Sequence, residues 1–312
     1  MRHYRSLDNV FLENSWITIG SFDGIHRGHQ EIIQRLTAGA HAEKFPAVVI
    51  TFHPNPALVL GKRETPAYLT SPQERAFYLA ELGVDVVITH PFNKQVASTS
   101  AYSFIKNLKL HLGMSHLLVG PDFALGRDRE GDIPTLSKLG EQFGYQVEVM
   151  EPVKIDGEVV SSSRIRNALA SGDVILATQL LGHPYLVEGE VIPGDGRGRV
   201  IGIPTANLNT WSERQLPTSG VYVCQAQING ITYGAVTNVG VRPTFESQSE
   251  TPQVEAHILD FDQQIYGEHV SLAFLSRLRD EKKFPDIQSL VNQINLDIFR
   301  ARETLSKREI SG

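Results

Sequence analysis

Gly20-Ser21-Phe22-Asp23-Gly24-Ile25-His26-Arg27-Gly28-His29 joins an apolar strand-like segment, marked by Ile17 and Ile19, to a stretch whose Ile32, Ile33 and Leu36 have helical spacing. A glycine-rich loop at such a junction gathers unpaired backbone N–H groups and the positive end of the helix dipole, so it is built to hold phosphate. Gly20, Phe22, Asp23, Gly24 and Gly28 are its candidate phosphate contacts. His26 and His29 stand three apart. If both lie on the first helical turn they share a face and can donate to phosphate oxygens on which negative charge builds up. Two such histidines could also supply half of a zinc site, but no cysteine cluster accompanies them.

Outward from this loop, residues 15–150 alternate short apolar runs with amphipathic stretches, the pattern of a parallel sheet covered on both faces. The expected strands are Ala47 to Phe52, Val84 to Thr89, His116 to Gly120 and Gln146 to Met150. Ser71-Pro72-Gln73-Glu74 has capping-box spacing with Pro at the first helical position, which predicts a helix through Leu79 and Leu82. Phe104, Ile105, Leu108 and Leu112 mark another. Ligands of such a sheet bind at its carboxyl edge. After Leu181-Gly182-His183-Pro184 helical periodicity fades, which divides the chain into domains 1–182 and 183–312. Leu186 to Ile192, Gly220 to Ile228, Ile231 to Val239, Val254 to Phe261 and Val270 to Leu275 read as strands of an antiparallel barrel or sandwich. Ile287, Leu290, Val291, Ile294 and Ile298 then form the packing stripe of a closing helix.

The 29 basic and 35 acidic residues leave a formal charge of -6 over 312 residues, which gives no bulk attraction to nucleic acid or to an anionic membrane. Cys224 is the one cysteine, so no intramolecular disulfide forms, and the opening Met-Arg-His-Tyr-Arg-Ser lacks the apolar core of a signal peptide. The expectation is a cytoplasmic protein that acts on small molecules. Association into a homo-oligomer is left open.

Further segments carry polar groups at element ends. Thr51-Phe52-His53-Pro54-Asn55-Pro56 and Val119-Gly120-Pro121-Asp122-Phe123 follow strands, and Ser161-Ser162-Ser163-Arg164-Ile165-Arg166 opens a helix with Arg166 one turn along. The last of these is suited to clamping phosphates. In the second half, Gly194-Asp195-Gly196-Arg197-Gly198-Arg199-Val200-Ile201-Gly202-Ile203-Pro204-Thr205-Ala206-Asn207 lets backbone approach phosphate closely. Its hydroxyl and amide carbonyl are hard ligands for Mg²⁺ or partners for phosphate. No Walker lysine follows. In Val254-Glu255-Ala256-His257-Ile258-Leu259-Asp260-Phe261, strand alternation turns Glu255 away from its apolar neighbours.

The N-terminal run resembles the HxGH signature of the nucleotidyltransferase superfamily, and the motifs of both halves, in order, resemble the bacterial bifunctional riboflavin kinase/FAD synthetase family. The resemblance implies an α/β chain, a Rossmann-like nucleotidyltransferase domain followed by an antiparallel β-barrel riboflavin kinase domain ending in a helix. It implies that ATP and Mg²⁺ are used twice, to phosphorylate riboflavin to FMN and to adenylylate FMN to FAD with release of pyrophosphate. His26, His29 and Arg166 would serve adenylyl transfer together with Ser162 and Ser163, and Asn55, Asp122, Phe123 and Arg242 would meet the flavin. Glu255 would be the kinase's general base. Thr205 and Asn207 would hold Mg²⁺, while Gly196, Arg197, Gly198 and Pro204 would cover the ATP phosphates. Ser21 stands where the family has Asn, Asn55 where it has His, and Ala124-Leu125 where it has Arg-Phe. A second reading therefore keeps the kinase alone, with a degenerate first domain, and a third makes the chain a flavin-binding regulator.

Overall fold

A computed structural model describes residues 1–312 apart from 195, 197, 199, 200, 243–250 and 310–312, and apart from the side chains of 241, 242, 251, 252, 308 and 309. The chain divides into two compact units, Met1–Ser162 and Ser163–Gly312.

The first unit is a six-stranded sheet, all parallel, built from β1 (Arg2–Tyr4), β2 (Ser15–Ile19), β3 (Ala47–His53), β4 (Val86–Pro91), β5 (Met114–Val119) and β6 (Gln146–Val149) in the order β1-β4-β3-β2-β5-β6. Its helices are α1 (Arg27–Ala42), α2 (Pro56–Val59), α3 (Pro72–Glu81), α4 (Lys94–Ala97), α5 (Ala101–Leu112) and α6 (Ile133–Phe143). Successive side chains of a strand face opposite ways, and this sheet fills both faces. Ile17, Ile19, Val48, Ile50, Ile88 and Leu117 pack under α5 and α6 through Ile105, Leu108 and Leu136. Trp16, Val49, Val87 and Leu118 pack under α1 and α3 through Ile33, Leu36 and Leu79. Successive strands are added on one side of β2 from β3 to β4 and on the other from β5 to β6, so the crevice outside β2 and β5 is where this topology leaves room for a ligand. The Ser71 and Glu74 capping box forms as expected, with Pro72 opening α3. A two-stranded hairpin, β7 (Lys154–Ile155) and β8 (Glu158–Val159), closes the unit around Asp156-Gly157, both at positive φ.

Two helices, α7 (Ser162–Ser171), which belongs to the second unit from Ser163 on, and α8 (Val174–Leu181), precede a closed antiparallel barrel. Its strands are β9 (Tyr185–Ile192), β10 (Ala206–Thr210), β11 (Gly220–Ile228), β12 (Ile231–Arg242), β13 (Thr251–Ile258) and β14 (His269–Arg279), followed by α9 (Ile287–Glu309). Val187, Leu208, Cys224, Ala235, Ala256 and Leu272 belong to the buried interior row. On the outer face, Val221, Val223, Val236 and Leu275 are covered by α9 through Ile298 and Ala301. The expected stripe of α9 is thus divided, since Ile298 packs on the barrel while Leu290 and Ile294 line a cavity and Ile287 is exposed. The packing division lies upstream of the expected boundary at 182/183 because α8 leans on β9 and β14.

Gly39 sets how closely α1 approaches the sheet. A Cβ there would stand 2.1 Å from Cζ3 of Trp16. Alanine would gain about 1 kcal/mol of helix propensity, but overpacking a filled core costs about 1–3 kcal/mol or more. Gly39→Ala should therefore lower the melting temperature of the first unit, and the same change in a Trp16→Leu background should not; equal losses in both backgrounds would show that the indole is not the obstacle.

Candidate functional site

The loop after β2 is strained and braced. Phe22 and Ile25 sit at φ 46 and 42 with Gly24 between them at 86. Such a conformation is costly for a β-branched residue and persists only where surroundings over-determine it. Here the side chains of Phe22 and Ile25 are buried in the core, and Asp23 is fixed by four groups. Its Oδ1 accepts from the backbone N–H of Leu69 at 2.9 Å, the backbone N–H of Thr70 at 3.1 Å and the Thr70 hydroxyl at 3.5 Å, and it faces Arg75 Nη2 at 3.6 Å. Arg75 reaches on to the Thr51 hydroxyl at 3.0 Å, which itself donates to the Ser21 carbonyl at 2.9 Å.

Two expectations change. The Asp23 side chain braces the loop from inside instead of facing phosphate, and the Gly24 N–H is taken by Thr70 Oγ1 at 3.1 Å. The sequence gives no sign of either, because side-chain direction in a left-handed loop does not follow strand or helix periodicity. Ser162 Oγ, at the end of the first unit, donates to the Asp23 carbonyl at 2.8 Å. Ser163 and Arg166 follow on α7 within the second unit.

His26 is the N-cap of α1 and not a member of its first turn; its Nδ1 accepts from the His29 N–H at 3.3 Å. The two rings stack at 3.6 Å with an interplanar angle of 16°. In neutral His26 the proton therefore sits on Nε2, where it can be donated. Gly28 lies against this ring, with a Cβ there only 3.3 Å from it. His29 Nδ1 is buried without a protein partner, a polar atom that a ligand would complete. Burial, then the charges of His26 and Arg75, hold the His29 ring well below its ordinary pKa.

Beside the loop a cavity of about 710 Å³ opens at the carboxyl edge, lined by Gly20, Ser21, Asn55, Phe123, Lys62 and Arg129 among others. Ala124 and Leu125 line it too. Asn55 caps α2, its Oδ1 accepting from the Ala57 N–H at 2.9 Å, while its own N–H donates to the Tyr68 hydroxyl at 2.8 Å. Asn is a stronger N-cap than His, which accounts locally for the residue found there. Phe123 packs against the core and also walls the cavity. Asp122 is exposed, and its carbonyl accepts from Arg129 Nη2 at 2.7 Å.

In the barrel, β10 and β13 pair so that Asn207 faces Glu255 and Ala206 faces Ala256. Asn207 and Glu255 are therefore adjacent on one face, with Asn238 of β12 on the far side of Glu255. Ala206 and Ala256 turn inward. A cavity of about 480 Å³ at the barrel mouth is lined by Pro204, Thr205, Phe261 and Tyr266, and a second of about 630 Å³ under α9 by Thr205, Glu255, His257, Asn238 and Phe284. Thr205 belongs to both. Gly194 and Gly198 close on this corner: a Cβ at Gly194 would fall 2.2 Å from Asn207 Nδ2, and one at Gly198 would fall 2.4 Å from the Ile203 carbonyl. Gly196 takes φ 70 between them. Arg197 and the side chain of Arg242 lie outside the described residues. Among the described residues no group of three or more His, Cys, Asp or Glu side chains is placed to hold a metal.

Comparison with known proteins agrees with this division. A family model described as FAD synthetase matches residues 8–164, and one described as riboflavin kinase matches residues 181–305. A bifunctional riboflavin kinase/FMN adenylyltransferase of Pseudomonas fluorescens is 39% identical over 97% of this chain and 97% of its own. One from Bacillus subtilis is 38% identical over 91% of this chain and 90% of its own. The chain belongs to the bifunctional riboflavin kinase/FMN adenylyltransferase family. A solved structure described as a macrolide-efflux protein from Streptococcus pneumoniae shares the fold, with a TM-score of 0.87 at 33% identity over 96% of this chain and 98% of that one. No helix among the described residues is long and apolar enough to cross a membrane. A few residues downstream of Asn55 and of Ala124, the same cavity is lined by Lys62 and by Asp128 and Arg129, which no motif marks.

The His29 shift has a consequence for stability. Its folded pKa is depressed below 6.5, so as pH falls below 6.5 the unfolded chain takes up a proton that the folded chain refuses, and stability is lost. Between about pH 7.5 and about pH 5.5 the first unit should lose more melting temperature in the wild type than in His29→Gln, by a few degrees, since about 1 kcal/mol moves a domain of this size by about 2–4 °C. Parallel melting profiles for the two proteins would contradict the assignment.

Proposed function

We propose that the barrel phosphorylates riboflavin with ATP and that the parallel-sheet unit transfers the adenylyl group of ATP to FMN, giving FAD and pyrophosphate. The observation that carries this reading is the meeting of two cavities at Thr205, with Glu255 in one of them and Asn207 across from it in the sheet.

ATP enters the barrel mouth and the flavin lies under α9, so the terminal phosphate meets the acceptor hydroxyl beside Thr205. Glu255 takes the proton of the riboflavin 5′-hydroxyl as that oxygen bonds to the γ-phosphorus, and the bond to the bridging oxygen breaks to leave ADP. Thr205 and Asn207 offer a hydroxyl and an amide carbonyl, a hard-oxygen set suited to Mg²⁺, and Gly194 and Gly198 let the backbone approach this corner closely. When bound, Mg²⁺ would neutralise phosphate charge. Alignment of donor and acceptor supplies the rest.

In the first unit a phosphate oxygen of FMN bonds to the α-phosphorus and the bond to the departing pyrophosphate breaks, without a covalent enzyme intermediate. His26 donates from Nε2, His29 from a neutral ring, and the N-terminus of α1 adds its dipole, all aimed where negative charge accumulates. FMN occupies the cavity beside Gly20, with Phe123 against the ring system and Lys62 and Arg129 as cations for its phosphate.

Glu255→Ala should cut FMN formation about 10²–10⁴-fold, the range for loss of a general base, and leave FAD formation from supplied FMN intact. His29→Ala should do the reverse, at about 10²–10³-fold. Chromatography of both flavin products decides this, and loss of both activities in either folded variant would refute one reaction per unit. Lys62→Met should raise KM for FMN about tenfold with kcat little changed, as loss of one charge-assisted contact implies. Ala124→Arg in that background should restore it; pyrophosphate release measures both, and an unchanged KM would remove Lys62 from the site.

A further inference from the structure

His257 has a polar contact that the proposed chemistry does not use. On β13 the side chains alternate, with Val254, Ala256 and Ile258 buried inside the barrel and Glu255 and His257 half-buried on the outer face. Nδ1 of His257 lies 2.8 Å from the Pro204 carbonyl oxygen. A carbonyl only accepts, so Nδ1 carries the proton. That oxygen belongs to the peptide group joining Pro204 to Thr205, and Thr205 is the residue common to the two cavities. In the β10 and β13 register Ala206 stands across from Ala256, and the turn entering β10 passes His257.

On its other side the same turn is held by a backbone bond from the Ile203 N–H to the Gly198 carbonyl at 2.8 Å. Proline has no N–H with which to add a bond of its own. Residues 203–205 are therefore fixed from the glycine-rich run on one side and from His257 on the other.

We infer that His257 is a positioning residue for the kinase reaction: by donating from Nδ1 to the Pro204 carbonyl it fixes the peptide plane that carries Thr205 at the junction of the donor and acceptor cavities. The inference rests on the kinase reading of the barrel. His257 takes no proton from riboflavin and touches neither reacting atom. Its work is geometric, and a displacement of about 1 Å at a reacting centre can cost about 10²-fold in rate.

Asparagine places a side-chain N–H near the position of imidazole Nδ1, whereas glutamine reaches toward Nε2 and alanine donates nothing. His257→Ala should lower kcat for FMN formation ten- to a hundredfold while KM for riboflavin changes less than about twofold, and FAD formation from FMN should stay at the wild-type rate. Calorimetric titration with ADP and Mg²⁺ should show affinity weakened by a similar factor. His257→Asn should recover both readouts and His257→Gln should not. Equal loss in the Asn and Ala variants, or a wild-type kcat in the Ala variant, overturns the inference. Should the Ala variant fail to fold, the Asn and Gln variants decide between them, and equality of those two overturns it. Absence of FMN formation by the wild type would instead defeat the kinase reading itself.

Discussion

Asp23 and Arg75 are buried together beneath the N-terminal loop, and the geometry of the first candidate site rests on that pair. A buried ion pair adds little net stability over an apolar pair, but removal of one partner leaves an uncompensated charge at a cost of about 3–5 kcal/mol. The sheet therefore holds the pair in one arrangement. Because the carboxylate also accepts from two backbone N–H groups of residues 69 and 70, it locks the loop to the segment before α3. Positive φ at Phe22 and Ile25 follows, and with it the turn that delivers His26 as an N-cap and stacks it on His29. The polar groups that make this loop rigid are the buried ones.

The barrel reaches a comparable end by different means. Its constellation depends on register: Asn207 faces Glu255, and the neighbouring pair Ala206 and Ala256 points inward. Because the side-chain period is two, a slip of one residue between β10 and β13 would send Glu255 inside and an alanine out. The filled interior forbids that slip, since Val254, Ala256 and Ile258 are buried. Core packing thus sets the face of β13 on which the carboxylate stands.

These two mechanisms explain what could be read from the chain. Strands β3 to β6 announce themselves as apolar runs, and α3 by its capping box. β1 does not, because Arg2-His3-Tyr4 is a short polar edge strand whose parallel pairing with β4 is a tertiary event. β10 was hidden for another reason. Pro204-Thr205-Ala206-Asn207 reads as a ligand loop, and only the barrel's closure shows that Ala206 begins a strand. The glycine spacing and both histidines were legible, whereas the direction of Asp23 was not, since a left-handed turn obeys no side-chain period. Lys62 and Arg129 escaped because no motif marks them and only the folded turns bring them to the cavity that Asn55 and Ala124 line. His257 was legible in part: two residues from Glu255 on a strand, it had to share that face.

The same distinction bears on how the two sites tolerate substitution. In the first unit the brace is buried but the cations that line the cavity beside Gly20 are exposed side chains outside the sheet, so a charge can move from residue 55 or 124 to residue 62 or 129 without disturbing the sheet. Asn55 illustrates it, for the change from the family's His improves a helix cap while its neighbours keep the cavity basic. In the barrel no such exchange is open. Asn207 and Glu255 are fixed by strand register, and a Cβ at Gly194 would collide with Asn207 while one at Gly198 would collide with the Ile203 carbonyl beside Thr205. A departure there would have to move a strand. Physical chemistry alone therefore predicts that variation gathers around the first cavity and spares the second corner, which is where the departures from the family pattern in this chain fall.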